Sequence, residues 1–130
     1  MNTSSEVTLQ FGDSGEKGHL FKLDIKRIEE LQRNCGAGIG EIGRRVMGGQ
    51  FHIKDIYETI RLGLIGGGIP PTEAKTIVDQ YVDGCVLARE GDPSAPLTVA
   101  NVILMAVFYG LDEVPEAADA PGEPEAGTDI

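Results

Sequence analysis

The stretch that most limits what this chain can fold into is Ile53–Gly68, IKDIYETIRLGLIGGG. Ile53, Ile56, Tyr57, Ile60 and Leu64 recur at three- and four-residue steps, which stacks them on one face of an α-helix. Lys54, Asp55, Glu58 and Arg61 fall on the opposite face, where Glu58 and Arg61 are spaced to pair across the surface. Gly66, Gly67 and Gly68 then stop the helix, since glycine reaches positive φ without steric cost. Pro70 and Pro71 prevent its resumption. A strongly amphipathic helix with so abrupt an end is a scaffold element, and it carries no evident catalytic group.

The elements around it follow from the same rules. Val7, Leu9 and Phe11 alternate with Glu6, Thr8 and Gln10, which predicts a half-buried strand. Gly12–Gly18 is turn chemistry, and Phe21, Leu23 and Ile25 alternate with Lys22 and Asp24 as a second strand of a β-hairpin. Asp24 is placed to cap a first helix whose stripe is Ile25, Ile28, Leu31 and Cys35, ending at Gly36. A short helix over Ile39–Met47 buries Ile39, Ile42 and Val46 and closes at Gly48–Gly49. A fourth helix begins near Thr72, turns Ala74, Ile77, Val78, Tyr81 and Val82 inward, and ends at Gly84. Residues 85–96 are less regular, and Gly91-Asp92-Pro93-Ser94 reads as a loop. The last helix, about Leu97–Gly110, is apolar on nearly every side, with Asn101 its one plainly polar residue between Val99 and Tyr109. Such a helix is central to its domain or covered by another chain.

The predicted fold is α+β and mostly α-helical: an N-terminal β-hairpin packed on about five helices, forming one domain over residues 1–111. Residues 112–130 are expected to be a disordered acidic C-terminal tail, with seven acids and no Lys or Arg. That tail accounts for most of the net charge of −10, leaving about −3 on the body. Neither part offers the basic footprint of a nucleic-acid binder. No signal peptide and no membrane-spanning run are legible. The two cysteines, Cys35 and Cys85, suit free thiols in a reducing cytoplasm. With His19 and His52 far apart, there is no metal-ligand spacing.

Some motifs tempt. Gly38–Gly43 fits G-x-G-x-x-G, which would make a nucleotide-binding or small regulatory protein a reading. Yet the motif follows a helix rather than a strand, and Arg44–Arg45 stands where a P-loop needs Lys-Ser/Thr. These glycines read instead as a tight helix–helix connection. At Gly66–Gly68 an anion cradle is opposed by the two prolines and by Glu73. The fourth helix, as the recognition helix of a helix-turn-helix, would be acidic. No cofactor is expected.

The order of hairpin, Ile/Leu-rich helix and glycine link, then Gly49-Gln50-Phe51, Asp55-Ile56, Ile60-Arg61-Leu62-Gly63-Leu64-Ile65-Gly66-Gly67-Gly68, Glu73-Ala74 and a last apolar helix ending at Gly110, resembles the tail assembly chaperone family of gene transfer agents and related long-tailed phages. The resemblance covers about residues 5–111. It implies a non-enzymatic cytoplasmic protein that holds an apolar, helical tape-measure protein, and meets tail-tube protein, during assembly. The alternative is a structural tail component retained in the particle. The apolar excess of the last helix makes Val99, Ile103, Val107 and Phe108 the candidate partner contacts. A second copy of the chain is a further candidate partner, since the hairpin edges have no visible cover in the sequence.

Overall fold

The computed structural model describes residues 3–111. The tail expected over 112–130 lies outside them. In chain order the elements are β1 (Val7–Leu9), a 3-10 segment (Gly12–Lys17), β2 (His19–Phe21), α1 (Ile25–Cys35), α2 (Ile39–Met47), α3 (Ile53–Gly66), α4 (Pro71–Tyr81) and α5 (Pro96–Tyr109). This is the expected hairpin on five helices. The strands pair antiparallel, with Val7 opposite Phe21, Thr8 opposite Leu20 and Leu9 opposite His19. Val7, Leu9, Phe11, Phe21 and Leu23 all turn inward, as the alternation requires.

The middle of the molecule is α3. It touches β2, α1, α2, α4 and α5, so its burial is not confined to one stripe. Ile56, Ile60, Leu62 and Leu64 are all fully buried. So is Asp55, and nearly so Glu58, which corrects the expectation that both lie on an exposed face. The packed neighbours of α3 leave little solvent face beyond its first turn, and each of these carboxylates is instead matched by a cation. Arg45 of α2 reaches Asp55 at 2.9 Å, and Asp55 also accepts from the His52 N–H at 2.9 Å, capping the helix start. Arg61 holds Glu58 through Nε at 2.9 Å and Nη2 at 2.7 Å, while the Asn34 side chain donates to Glu58 at 2.7 Å.

Two apolar residues go the other way. Ile25, predicted as the last inward residue of β2, is the first residue of α1 and is exposed; Ile53 at the start of α3 is exposed too. The chain leaves the sheet at Asp24, whose carboxylate accepts from the Arg27 N–H at 2.9 Å as the expected cap. Helix α4 begins one residue early, at Pro71, because a first-turn proline gives up only an N–H that would be unpaired anyway. It ends at Tyr81, ahead of Gly84.

The glycine end of α3 does a different job from the one expected. Gly66 is still helical, Gly67 has φ −83°, and only Gly68, at φ 114°, uses glycine's conformational freedom. What Gly66 and Gly67 supply is room. A Cβ on Gly66 would stand 1.8 Å from the Lys22 carbonyl oxygen, and one on Gly67 would stand 1.8 Å from that of Leu20. The Lys22 N–H donates to the Gly63 carbonyl at 3.0 Å. The end of α3 is therefore pressed against the outer edge of β2, backbone to backbone, and only glycine fits.

Candidate functional site

The last helix resolves into a buried part and an exposed end. Val99 and Ile103 are core residues at 0% and 1% exposure. Val107 packs against the core from its margin, and Phe108 keeps 39% of its surface. Of the four candidate contacts, Phe108 is the one that faces solvent. It is joined by Tyr109, which is 74% exposed, with ring centroids 6.2 Å apart.

Phe108 is seated by α2. Its ring lies over Gly43, where a Cβ would come within 2.6 Å of the ring edge. Met47, also exposed, is one turn further along that face of α2, and Gly40, one turn back, has nothing within 4 Å of a built Cβ. The α2–α5 seam thus presents two aromatic rings and a thioether beside a strip of α2 in which Gly40 is bare and Gly43 is buried under the Phe108 ring. Arg44 borders it, paired with Glu41 at 2.6 Å. The strip is partly the G-x-G-x-x-G motif, which the sequence marked without showing why it was there. Gly43 admits the Phe108 ring, as a tight helix–helix approach needs. At the start of α2 the Ile39 N–H is already taken by the Gln32 side chain at 2.9 Å, so one of the free donors a phosphate would need is occupied.

Chemistry elsewhere is sparse. An open cleft of about 270 Å³ lies between the hairpin turn and the 85–96 loop, lined by Phe11, Tyr81, Cys85, Val86 and Arg89 among others. Nearby, Asp92 is engaged by the Ser94 N–H and hydroxyl at 2.9 and 2.7 Å, which hold its carboxyl below the usual range against the upward pull of burial. Tyr57 donates to Asp79 at 2.6 Å; burial, then that bond, push its phenol up to about 12. Cys35 is pushed up to about 12 by burial and then by the neighbouring Asp55 carboxylate. A thiol so far from ionising is a poor nucleophile. Cys85 is exposed. A thiol-reactive probe at about pH 8 should therefore label Cys85 first and Cys35 only slowly until denaturant is added, as peptide mass mapping would show; equal labelling of both in the folded protein would contradict the burial of Cys35. Among the described residues no cluster of His, Cys, Asp and Glu could hold a metal ion, and no helix is long and apolar enough to cross a membrane.

Fold and surface together define a small helical domain with a β-hairpin, whose distinctive exposed feature is an aromatic seam. The family model described as phage tail tube protein, GTA-gp10, matches residues 4–110, and the chain belongs to that family. It is a phage-tail-related protein. No curated protein and no solved structure matches it significantly.

Proposed function

We propose that the protein is a non-enzymatic tail assembly chaperone, which binds the tape-measure protein while tail-tube subunits polymerise. The observation that carries this reading is the α2–α5 seam. Phe108, Tyr109 and Met47 lie along this seam, and the exposed Gly40 lets an amphipathic helix approach the backbone of α2 there and bury its apolar face against them. Aromatic rings and methionine are the side chains expected at an adaptable, helix-binding surface. The resemblance of the central block to tail assembly chaperones points the same way.

Co-expression with tape-measure and tail-tube proteins, followed by pull-down on this chain, tests it. Capture of the tape measure is expected, with at least about a tenfold loss of affinity on Phe108→Asp together with Tyr109→Asp, as suits central aromatic contacts. Tyr109 is 74% exposed, so Tyr109→Asp alone should leave the circular dichroism unchanged and carries the test if removal of the Phe108 ring from its seat on Gly43 loosens α5. A folded chain that captures nothing would defeat the proposal. The second reading, a tail component retained in the particle, is favoured by the family's description as a tail tube protein. Recovery of the chain in stoichiometric amounts from purified particles would establish it, whereas a chaperone should be absent from them.

A further inference from the structure

The hairpin has two edges, and the fold treats them differently. Leu20 and Lys22 turn their backbone groups toward α3: the Lys22 N–H bonds Gly63, and both carbonyls lie against the Gly66–Gly67 backbone. Because backbone groups alternate along a strand, His19 and Phe21 turn theirs toward β1, where they meet Leu9 and Val7. It follows that Thr8, between those two, directs its N–H and C=O away from β2. Glu6 and Gln10 share that direction. Among the described residues, no backbone or side-chain group bonds the outward N–H or C=O of Thr8 or Gln10; the Glu6 N–H is held only by the nearby Ser4 hydroxyl at 3.2 Å.

Free edges are normally blunted by shortness, by charge (lysine above all), by proline, a bulge or a covering element; β1 is short, at three residues, and Glu6 is the one charge beside it. Residues 6–10, EVTLQ, hold no lysine and no proline, and the β1–β2 register runs without a bulge. We infer that the outer edge of β1 is a docking site for β1 of a second copy, joined about a two-fold axis through Thr8 into a four-stranded antiparallel sheet.

The sequence of the edge argues for a second copy as the occupant. An antiparallel two-fold at Thr8 places Thr8 opposite its own equivalent, a favourable cross-strand pair, with the two residues exchanging both backbone bonds. The same axis sets Glu6 opposite the partner's Gln10, a carboxylate facing an amide donor, so no like charges meet. On the inner face Val7 falls opposite the partner's Leu9, continuing the apolar side of the sheet. The Glu6 N–H exchanges its serine contact for the partner's carbonyl. This contact uses neither Phe108 nor Tyr109 and stands independently of the chaperone reading.

The test is self-association of the whole chain, measured by light scattering and sedimentation from micromolar to millimolar concentration. A reversible monomer–dimer equilibrium is expected. Thr8→Lys sets like charges opposite each other across the axis and should raise the dimer dissociation constant roughly tenfold. Thr8→Glu should do the same. Thr8 is exposed and its outward N–H plays no part in the hairpin ladder, so circular dichroism of both variants should match the parent. An equimolar mixture of the two variants should recover association, because lysine then faces glutamate. A parent chain that stays monomeric throughout overturns the inference. So does a dimer indifferent to both substitutions, or a mixture that fails to associate more strongly than either variant alone.

Discussion

Gly66→Ala and Gly67→Ala should each destabilise the domain by about 3 kcal/mol or more, and the larger part of that cost should be steric. The new methyl would stand 1.8 Å from the Leu20 carbonyl oxygen of β2 for Gly67 and 1.8 Å from that of Lys22, just past β2, for Gly66. Neither obstacle is the end of a flexible side chain. To make room, the end of α3 must retreat from the sheet, losing the bond from the Lys22 N–H to Gly63 and loosening Phe21, which packs beside Gly63. In a domain of this size, about 3 kcal/mol corresponds to a fall in Tm on the order of 15 °C. Gly68→Ala is the control. Its φ of 114° disfavours any side chain, but nothing lies within 4 Å of the built Cβ, so the cost should be only about 1–2 kcal/mol of backbone strain. Thermal and urea unfolding of the three variants separates the effects. If Gly68→Ala proves the most damaging, the glycine run serves as a turn, as its sequence first suggests, and the close approach to β2 is not what requires it.

That contrast shows where sequence reasoning reached and where it stopped. Local rules placed the hairpin, the Asp24 cap and the bounds of α2, because alternation, capping and helical periodicity act over a few residues. They marked Gly66–Gly68 as an end of α3. They could not say that Gly66 and Gly67 face a strand more than forty residues earlier in the chain. The same limit explains Asp55 and Glu58. A helical wheel assigns charged residues to solvent, yet this side of α3 is covered; the Glu58–Arg61 pair was legible from its spacing, but the partners that come from α2 and α1, at Arg45 and Asn34, were not. On α5 an almost uniformly apolar sequence could not tell Val99 and Ile103, which are core, from Phe108, which is seated on Gly43 at the surface. Gly43 was the available signal: a glycine within a helix often marks where another element comes close.

Arg61→Ala should cost about 3–5 kcal/mol, because it leaves the Glu58 carboxylate buried with its main counter-charge gone. Glu58 side-chain exposure is only 7%, and that of Arg61 is 17%, so water cannot replace the lost contacts. Glu30, which meets Arg61 at 3.4 Å, would lose a partner as well, but it is more exposed and matters less. Replacing both Glu58 and Arg61 by Met should recover much of the loss, since an apolar pair of similar length needs no compensating charge. The pH dependence gives an independent reading of the same pair. In the folded protein, burial pushes the Glu58 carboxyl upward, but hydrogen bonds from Arg61 and Asn34 and the nearby Arg61 and Lys54 charges outweigh it and hold its pKa below the ordinary 4.5. A carboxyl depressed on folding contributes stability above its unfolded pKa, and that contribution is lost as the pH falls through the folded value. Without Arg61, burial gains weight and the protonated form becomes the better tolerated one. The difference in unfolding free energy between parent and Arg61→Ala should therefore be large at about pH 7 and should narrow toward about pH 4. Urea denaturation at both pH values measures it. A deficit of equal size at the two would assign the loss to the packing of the arginine stem, and not to the buried Glu58–Arg61 ion pair.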